Sequence, residues 1–366
     1  MPIAQPKSPL LPDFDLLISG SALPPEVKVY VTEVVIDDDT RLPGMFTLKL
    51  VGADTQKEWA ESITAMPTLP WIDDETLFAV GNVVEVKLGY RDDLETVLIG
   101  EITGLEPAFT FNQLPRLTVR GYDRRHRLHN GRKTRTFVQQ KDSDIAAQIA
   151  NELGLSSEVV DSQVTHDYVL QANQSDMDFL QERARRIQYE VVVADKTLHF
   201  RPIGNAESEI LAMTLDDHLL EFYPRLSAVR QLSEVTVRGW DPKEKKEIVG
   251  QAKLGDEVST MGGETAGGKL SDTAFGASAT HVGDRPIVTQ AEADQLALAR
   301  FNQVALALIE GDGVCWGRTD LRAGTVIKID GIGKRFSGQY YVTAVNHRYT
   351  AQRGYYTRFS VQRNAI

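Results

Sequence analysis

The side chains able to do chemistry are few and scattered along these 366 residues. The seven histidines are His126, His129, His166, His199, His218, His281 and His347, and none stands in a metal-ligand pair such as His-Glu-x-x-His. His126 and His129 are three apart, but arginines flank them and disfavour a bound cation. The acidic runs Asp37-Asp38-Asp39, Asp73-Asp74-Glu75 and Asp92-Asp93 have the residue type for calcium binding or paired-carboxylate hydrolysis. They fall where strands must turn and lack the spacing of an EF-hand loop, so they read as solvated turns. No Gly-x-Ser-x-Gly elbow, no phosphate-cradling Gly-x-x-x-x-Gly-Lys and no dinucleotide fingerprint is expected. Cys315, beside Trp316, reads as a small buried hydrophobe, since no base is marked as its partner. The sequence therefore predicts no catalytic residues, no metal site and no cofactor.

One charged feature stands out in a chain of net charge −11. Arg120, Arg124, Arg125, Arg127, Arg132, Lys133 and Arg135 lie within sixteen residues. This belt is expected either to pair with carboxylates of a neighbouring subunit or partner, or to be a solvated face. The overall acidity is the wrong sign for a protein whose main work is gripping nucleic acid or anionic lipid, although it leaves room for a local basic patch. With one cysteine, no intrachain disulfide can form. The hydrophobic and charged fractions, 42% and 25%, are those of a folded globular chain, and the length suggests two or three domains. No 18-residue apolar run predicts a membrane span, and Met1 to Gly20 lacks the apolar core of a secretory signal, so export would need another route.

The elements that must carry these side chains are mostly strands. Prolines crowd residues 1–25 and predict an extended arm. Alternation over 27–36 and 44–51 reads as a hairpin, and further strands follow at 82–88, 97–105 and 116–120, so that 26–123 is expected to form a small antiparallel barrel. The helical period then takes over. Asp142-Ser143-Asp144 is expected to cap one helix and Ser175 another, and with a hairpin at 190–201 they make 124–205 a compact α+β insert. Residues 206–366 return to strands as a second barrel. It is interrupted by a Gly-rich excursion over 253–286, expected to order only with a partner, and by a helix at 289–311 capped by Thr289 and Glu292, with Leu298, Phe301, Ala305 and Leu308 on one face.

Two similarities suggest that the barrels are copies. Leu117-Thr118-Val119-Arg120-Gly121-Tyr122-Asp123 matches Val235-Thr236-Val237-Arg238-Gly239-Trp240-Asp241 at five of seven positions. The strand series starting at Gly81-Asn82-Val83 has the order and spacing of the series starting at Gly324-Thr325-Val326, and on this scheme the hairpin 27–51 answers to 226–252. A trimer of such a chain would present six like domains to a six-fold ring and a three-fold face elsewhere.

Three stretches resemble the late control gene D baseplate hub proteins of contractile-tailed phages, relatives of the N-terminal region of VgrG spike proteins. They are Val119-Arg120-Gly121-Tyr122-Asp123-Arg124-Arg125-His126-Arg127-Leu128 running on to Ala146, Gln174-Ser175-Asp176-Met177-Asp178-Phe179-Leu180 running on to Pro202, and Val235 to Pro242. The resemblance implies a mainly β fold of two similar antiparallel β-barrels with an α+β insert, arranged as a trimeric torus. It implies a structural hub joining the inner tube protein to a spike, with baseplate wedge components as further partners. Neither membrane insertion nor sequence-specific nucleic-acid binding is expected. Assembly would take place in the bacterial cytoplasm and the product would be a virion or a released injection particle. VgrG-like chains continue into a needle, whereas this sequence stops at Ile366, so a separate spike protein or a longer parent chain is expected. The rival readings are a carbohydrate or cell-wall binding module using Trp71, Trp240, Tyr340, Tyr341, Tyr355 and Tyr356, and a cell-wall hydrolase.

Overall fold

The computed structural model describes residues 11–52, 76–111, 113–283 and 286–366. Its first part holds strands β1 (Pro12–Ile18), β2 (Ser21–Ala22), β3 (Val31–Asp39), β4 (Met45–Val51), β5 (Val83–Tyr90), β6 (Asp93–Ala108) and β7 (Arg116–Tyr122), with a one-turn helix α1 (Pro25–Lys28). Strand β1 lies inside the segment expected to be an arm. Phe14, Leu16 and Ile18 alternate into the core, so pairing with β5 buries them, and the extended text is a strand from Pro12 onward. Residues 1–10 of that arm, and Asp73-Asp74-Glu75 and Trp71, lie outside the described residues.

The middle part follows helix α2 (Arg125–Leu128) with β8 (Lys133–Lys141), α3 (Asp142–Glu152), β9 (Ser156–Val159), β10 (Thr165–Gln174), α4 (Asp176–Arg186), β11 (Tyr189–Ala194) and β12 (Thr197–Pro202). Ile145, Ile149, Met177 and Leu180 pack with Phe137, Val191 and Phe200 into a core of its own. Ser175 caps α4 by accepting from the Asp178 amide at 3.1 Å. The start of α3 differs from expectation. Lys141 is its cap residue and Asp144 accepts from the Lys141 amide, because Asp142 is buried and committed to Arg183.

The last part contains β13 (Leu211–Thr214), β14 (Leu219–Leu226), β15 (Glu234–Asp241), β16 (Lys246–Lys253), α5 (Gly267–Phe275), β17 (Ala279–Val282), α6 (Gln290–Ala305), β18 (Ile309–Trp316), β19 (Val326–Asp330), β20 (Gly338–Thr350) and β21 (Gly354–Arg363). Thr289 caps α6 as its sequence predicts. The buried face of α6 is Ala293, Ala297 and Phe301 rather than one led by Leu298, which is exposed, and a backbone contact at Gly250 lets the helix lie close on β16. The Gly-rich excursion is packed within this chain. A Cβ at Gly268 would lie 2.4 Å from the Leu232 carbonyl, so its glycines allow close approach, and residues 264–267 bond the carbonyls of Asn364 and Ile366.

The mainly antiparallel β architecture is as the sequence predicts, but its halves are not two closed barrels. Thirteen strands form one sheet in the order β14-β18-β21-β20-β3-β4-β7-β6-β5-β1-β2, with β19 also pairing with β20 and β13 with β19. Closure fails because β20 is long: one end pairs with β19, and the other continues onto β3 of the first half, from Ala344↔Asp39 to Thr350↔Glu33. Each half nonetheless has the same winding. Taken in chain order, the strands run first-second-fifth-fourth-third in both β3-β4-β7-β6-β5 and β14-β18-β21-β20-β19. Thr103 and Thr343 sit at matching bulges, where β6 meets β7 and β20 meets β21.

This winding corrects two sequence correspondences. The counterpart of hairpin β3-β4 is β14 with β18, split by residues 227–308, and not 226–252. The matched heptapeptides are not equivalent either: Leu117–Asp123 runs along β7 in the large sheet, whereas Val235–Asp241 is β15, the middle strand of the separate sheet β16-β15-β17.

Candidate functional site

The basic belt is used inside the chain. Arg124 and Arg127 both hold the buried carboxylate of Glu101 on β6, at 3.1 and 2.6 Å, and Arg124 also reaches Asp195 in the turn between β11 and β12. Arg125 pairs with Asp123 at 2.7 Å and donates to the Asp39 carbonyl, while Asp123 accepts from the Gly44 amide. Lys133 and Arg135 share Asp176 at the start of α4, and Arg120 pairs with Glu106. The expectation of partner carboxylates is therefore corrected for these five arginines and Lys133: the anions come from the same chain, and Arg124, Arg125 and Arg127 fasten the start of the insert to the first half. On the other side Glu190 accepts from Arg201 and from the Tyr341 hydroxyl, each at 2.9 Å, fastening the insert to the second half. Burial beside the Glu190 carboxylate pushes the Tyr341 phenol far above its ordinary value.

Where β20 meets β3, the shared sheet carries a groove of about 820 Å³ on its outer face. Its surface is mostly apolar, with Leu42, Pro43, Met45, Val314 and Phe359 in the lining, and Asp37, Asp312 and Glu221 add acidic groups. Asn346 donates to Asp37 across the junction at 2.6 Å, Ser360 donates to Asp312 at 2.6 Å, and Tyr223 approaches Glu221. Asp38 turns away from these and pairs with Arg322 at 3.0 Å. The run Asp37-Asp38-Asp39 thus belongs mainly to strand β3 and its junction contacts rather than to a solvated turn, because the sheet continues through it into β20. Asp92, with φ of 69°, does sit in a turn, between β5 and β6. Each carboxylate of the floor has a hydrogen-bond or strand-pairing role. Among the described residues the groove sets out no acid–base couple.

The histidines are dispersed over the fold, and among the described residues no three His, Cys, Asp or Glu side chains gather to hold a metal. His126 packs near Glu101, and His166 lies between Asp142 and Arg183 in the insert. His347 is fully buried at the junction against Tyr355 and Thr357, and burial pushes it down to about 3, so it stays neutral. Cys315 is buried, and its thiol is pushed up to about 12 by that burial, as expected for a packing residue. Of the aromatics considered for glycan binding that lie among the described residues, Tyr340, Tyr341 and Tyr355 are core residues and only Trp240 is widely exposed. One partial motif escaped sequence reasoning. Gly263 to Lys269 has the Gly-x-x-x-x-Gly-Lys spacing with Leu270 where the hydroxyl belongs. The amides of Glu264, Thr265 and Gly267 are spent on the carbonyls of Ile366 and Asn364, so they form no phosphate cradle.

Comparison with known proteins agrees with this reading of the fold. The 43 kDa tail protein of prophage MuSo2 from Shewanella oneidensis superposes with a TM-score of 0.70 at 12% identity, over 96% of this chain and 98% of that one. A tail protein from Neisseria meningitidis MC58 gives 0.66 at 10% identity, over 96% of each chain. The Escherichia coli c3393 protein, a type VI secretion component with structural similarity to the T4 tail proteins gp27 and gp5, gives 0.59 at 14%, over 96% of this chain and 77% of that one. No curated protein matches in sequence. A family described as the Alg8 N-terminal domain matches residues 12–351.

Proposed function

The chain belongs to the family of the Alg8 N-terminal domain, and for this member we propose a noncatalytic, mechanical role as the baseplate hub of a contractile tail or injection system. In this reading it is a homotrimer, assembled in the bacterial cytoplasm and carried in the particle, that adapts a six-fold inner tube to a three-fold spike within a baseplate. The tail-protein fold supports a structural role of this kind.

The observation that carries the finer reading is a vacancy left by the duplication. On β20, the stretch beyond the Thr343 bulge is occupied by β3. On β6, the equivalent stretch beyond Thr103 has no partner on that edge among the described residues, and Thr103, Leu105, Glu106, Pro107 and Ala108 are exposed. The equivalent of β3 in the second half is β14, whose outer edge ends the sheet. One copy thus carries both halves of the contact already made once within it. Transferring the β3–β20 register across the duplication sets Glu106 opposite Arg225 and Leu105 opposite Leu226 of a second copy. Such a head-to-tail contact closes into a ring when the rotation permits, and three copies place six like halves around an axis.

Light scattering tests this. The expected mass is three times 40.7 kDa, about 122 kDa. The substitution Glu106→Arg should weaken assembly at least about tenfold by setting like charges opposite each other, and Arg225→Glu in the same chain should restore it. A chain that stays monomeric at high concentration together with tube and spike proteins would remove the hub reading.

A further inference from the structure

A second cleft, of about 570 Å³, lies away from the junction between α4, α6 and β17. Strand β17 ends its sheet: it pairs with β15 on one side, from Glu234↔Ala279 to Val237↔Val282, and its other edge has no strand among the described residues. The consecutive residues Thr280 to Gly283 line the cleft, so this unpaired row of amides and carbonyls runs along it. The opposite walls are basic. Arg185 and Arg300 are exposed and make no ion pair among the described residues; Arg185 donates to the Gln181 carbonyl and Arg300 to Gln303. Among the described residues of the lining the one acidic side chain, Glu182, is engaged by Arg186 and by Gln174. A concentration of positive charge beside an open strand edge contrasts with a chain of net charge −11.

We propose that this cleft receives an acidic extended segment of a partner chain, which adds to β17 as a further strand with its carboxylates toward Arg185 and Arg300. Main-chain bonding to the edge supplies a sequence-tolerant part of the affinity, and the arginines select the sign of charge. A strand of four residues spans about 13 Å, the length β17 offers. Opposite charges in so open a site give a contact that salt weakens.

The test uses the full chain and a fluorescein-labelled hexapeptide, Glu-Val-Glu-Val-Glu-Thr, followed by fluorescence anisotropy. The acidic peptide should bind, and its lysine counterpart should not. The paired substitution Arg185→Glu with Arg300→Glu, at exposed positions and with circular dichroism unchanged, should weaken binding at least tenfold. So should N-methylation of alternate peptide amides, which removes ladder hydrogen bonds without touching the charges. Absence of binding, equal binding of acidic and basic peptides, or indifference to the arginine substitutions would overturn the proposal. An N-methylated peptide bound as tightly as its parent would overturn strand addition.

Discussion

At the scale of single residues, buried carboxylates fasten this molecule. Asp142 shows how such a group becomes pH-sensitive. Burial would raise its carboxyl, but hydrogen bonds and charge from His166 and Arg183 outweigh that and hold it below the usual carboxylate range. A folded value below the unfolded value of 3.8 means that the stabilisation is fully present above that pH and is lost as pH falls through the folded value. Urea unfolding followed by circular dichroism should therefore show a level stability near neutrality and a loss on acidification below pH 3.8. Replacing Asp142→Asn should cost about 3 kcal/mol at pH 7, since Arg183 would be left buried and unpaired, and should flatten the acid limb. The carboxylate was legible in the sequence only as a helix cap. Its partner on α4 lies forty-one positions away, and local text carries no signal for such a pair.

Among elements, the strands and helices were legible because alternation and capping are local: β3 to β7, α3, α4 and α6 stand close to where their patterns place them. What was hidden is pairing at long range. The junction of β3 with β20 joins residues some three hundred apart, and hairpin β14-β18 is divided by a whole folded segment, which leaves β15 and β16 as the nearest hairpin pattern along the chain. A repeated heptapeptide misled for a related reason, since strands draw on few residue types and identity over seven positions does not fix a place in a sheet. The packing of strands also needed the structure. Gly121 opposes Phe46 between β4 and β7, and Gly313 opposes Phe359 between β18 and β21, the corresponding strand pair with the roles exchanged. A Cβ at Gly313 would lie 2.3 Å from the Phe359 ring. Introducing Gly313→Ala should therefore destabilise the protein by about 2 kcal/mol in urea unfolding, and adding Phe359→Leu should recover part of the loss.

For the whole molecule, charge and assembly oppose each other. In the proposed trimer, chains of −11 each would repel one another, and the proposed exposed pairing of Glu106 with Arg225 would contribute no more than about 1 kcal/mol per contact. Screening should then favour association. Sedimentation at roughly 20 and 200 mM salt, where the Debye length falls from about 20 to about 7 Å, should show the trimer gaining at the higher concentration.

The split between β14 and β18 also sets a timetable for folding. In the first half the hairpin β3-β4 closes over residues 40–44, whereas β14 must wait for β18 beyond residues 227–308. Were the intervening chain unstructured, the extra loop-closure entropy would be about 2.5 kcal/mol, and its collapse into its own helix-backed sheet reduces that cost. During synthesis the first half can complete its local pairings while the second lacks four of its strands. The late strand β20 then meets an edge of β3 that is already ordered, so the earlier copy serves as a template for the later one. Pulsed hydrogen exchange during refolding should find amides of β3 and β4 protected before those of β18.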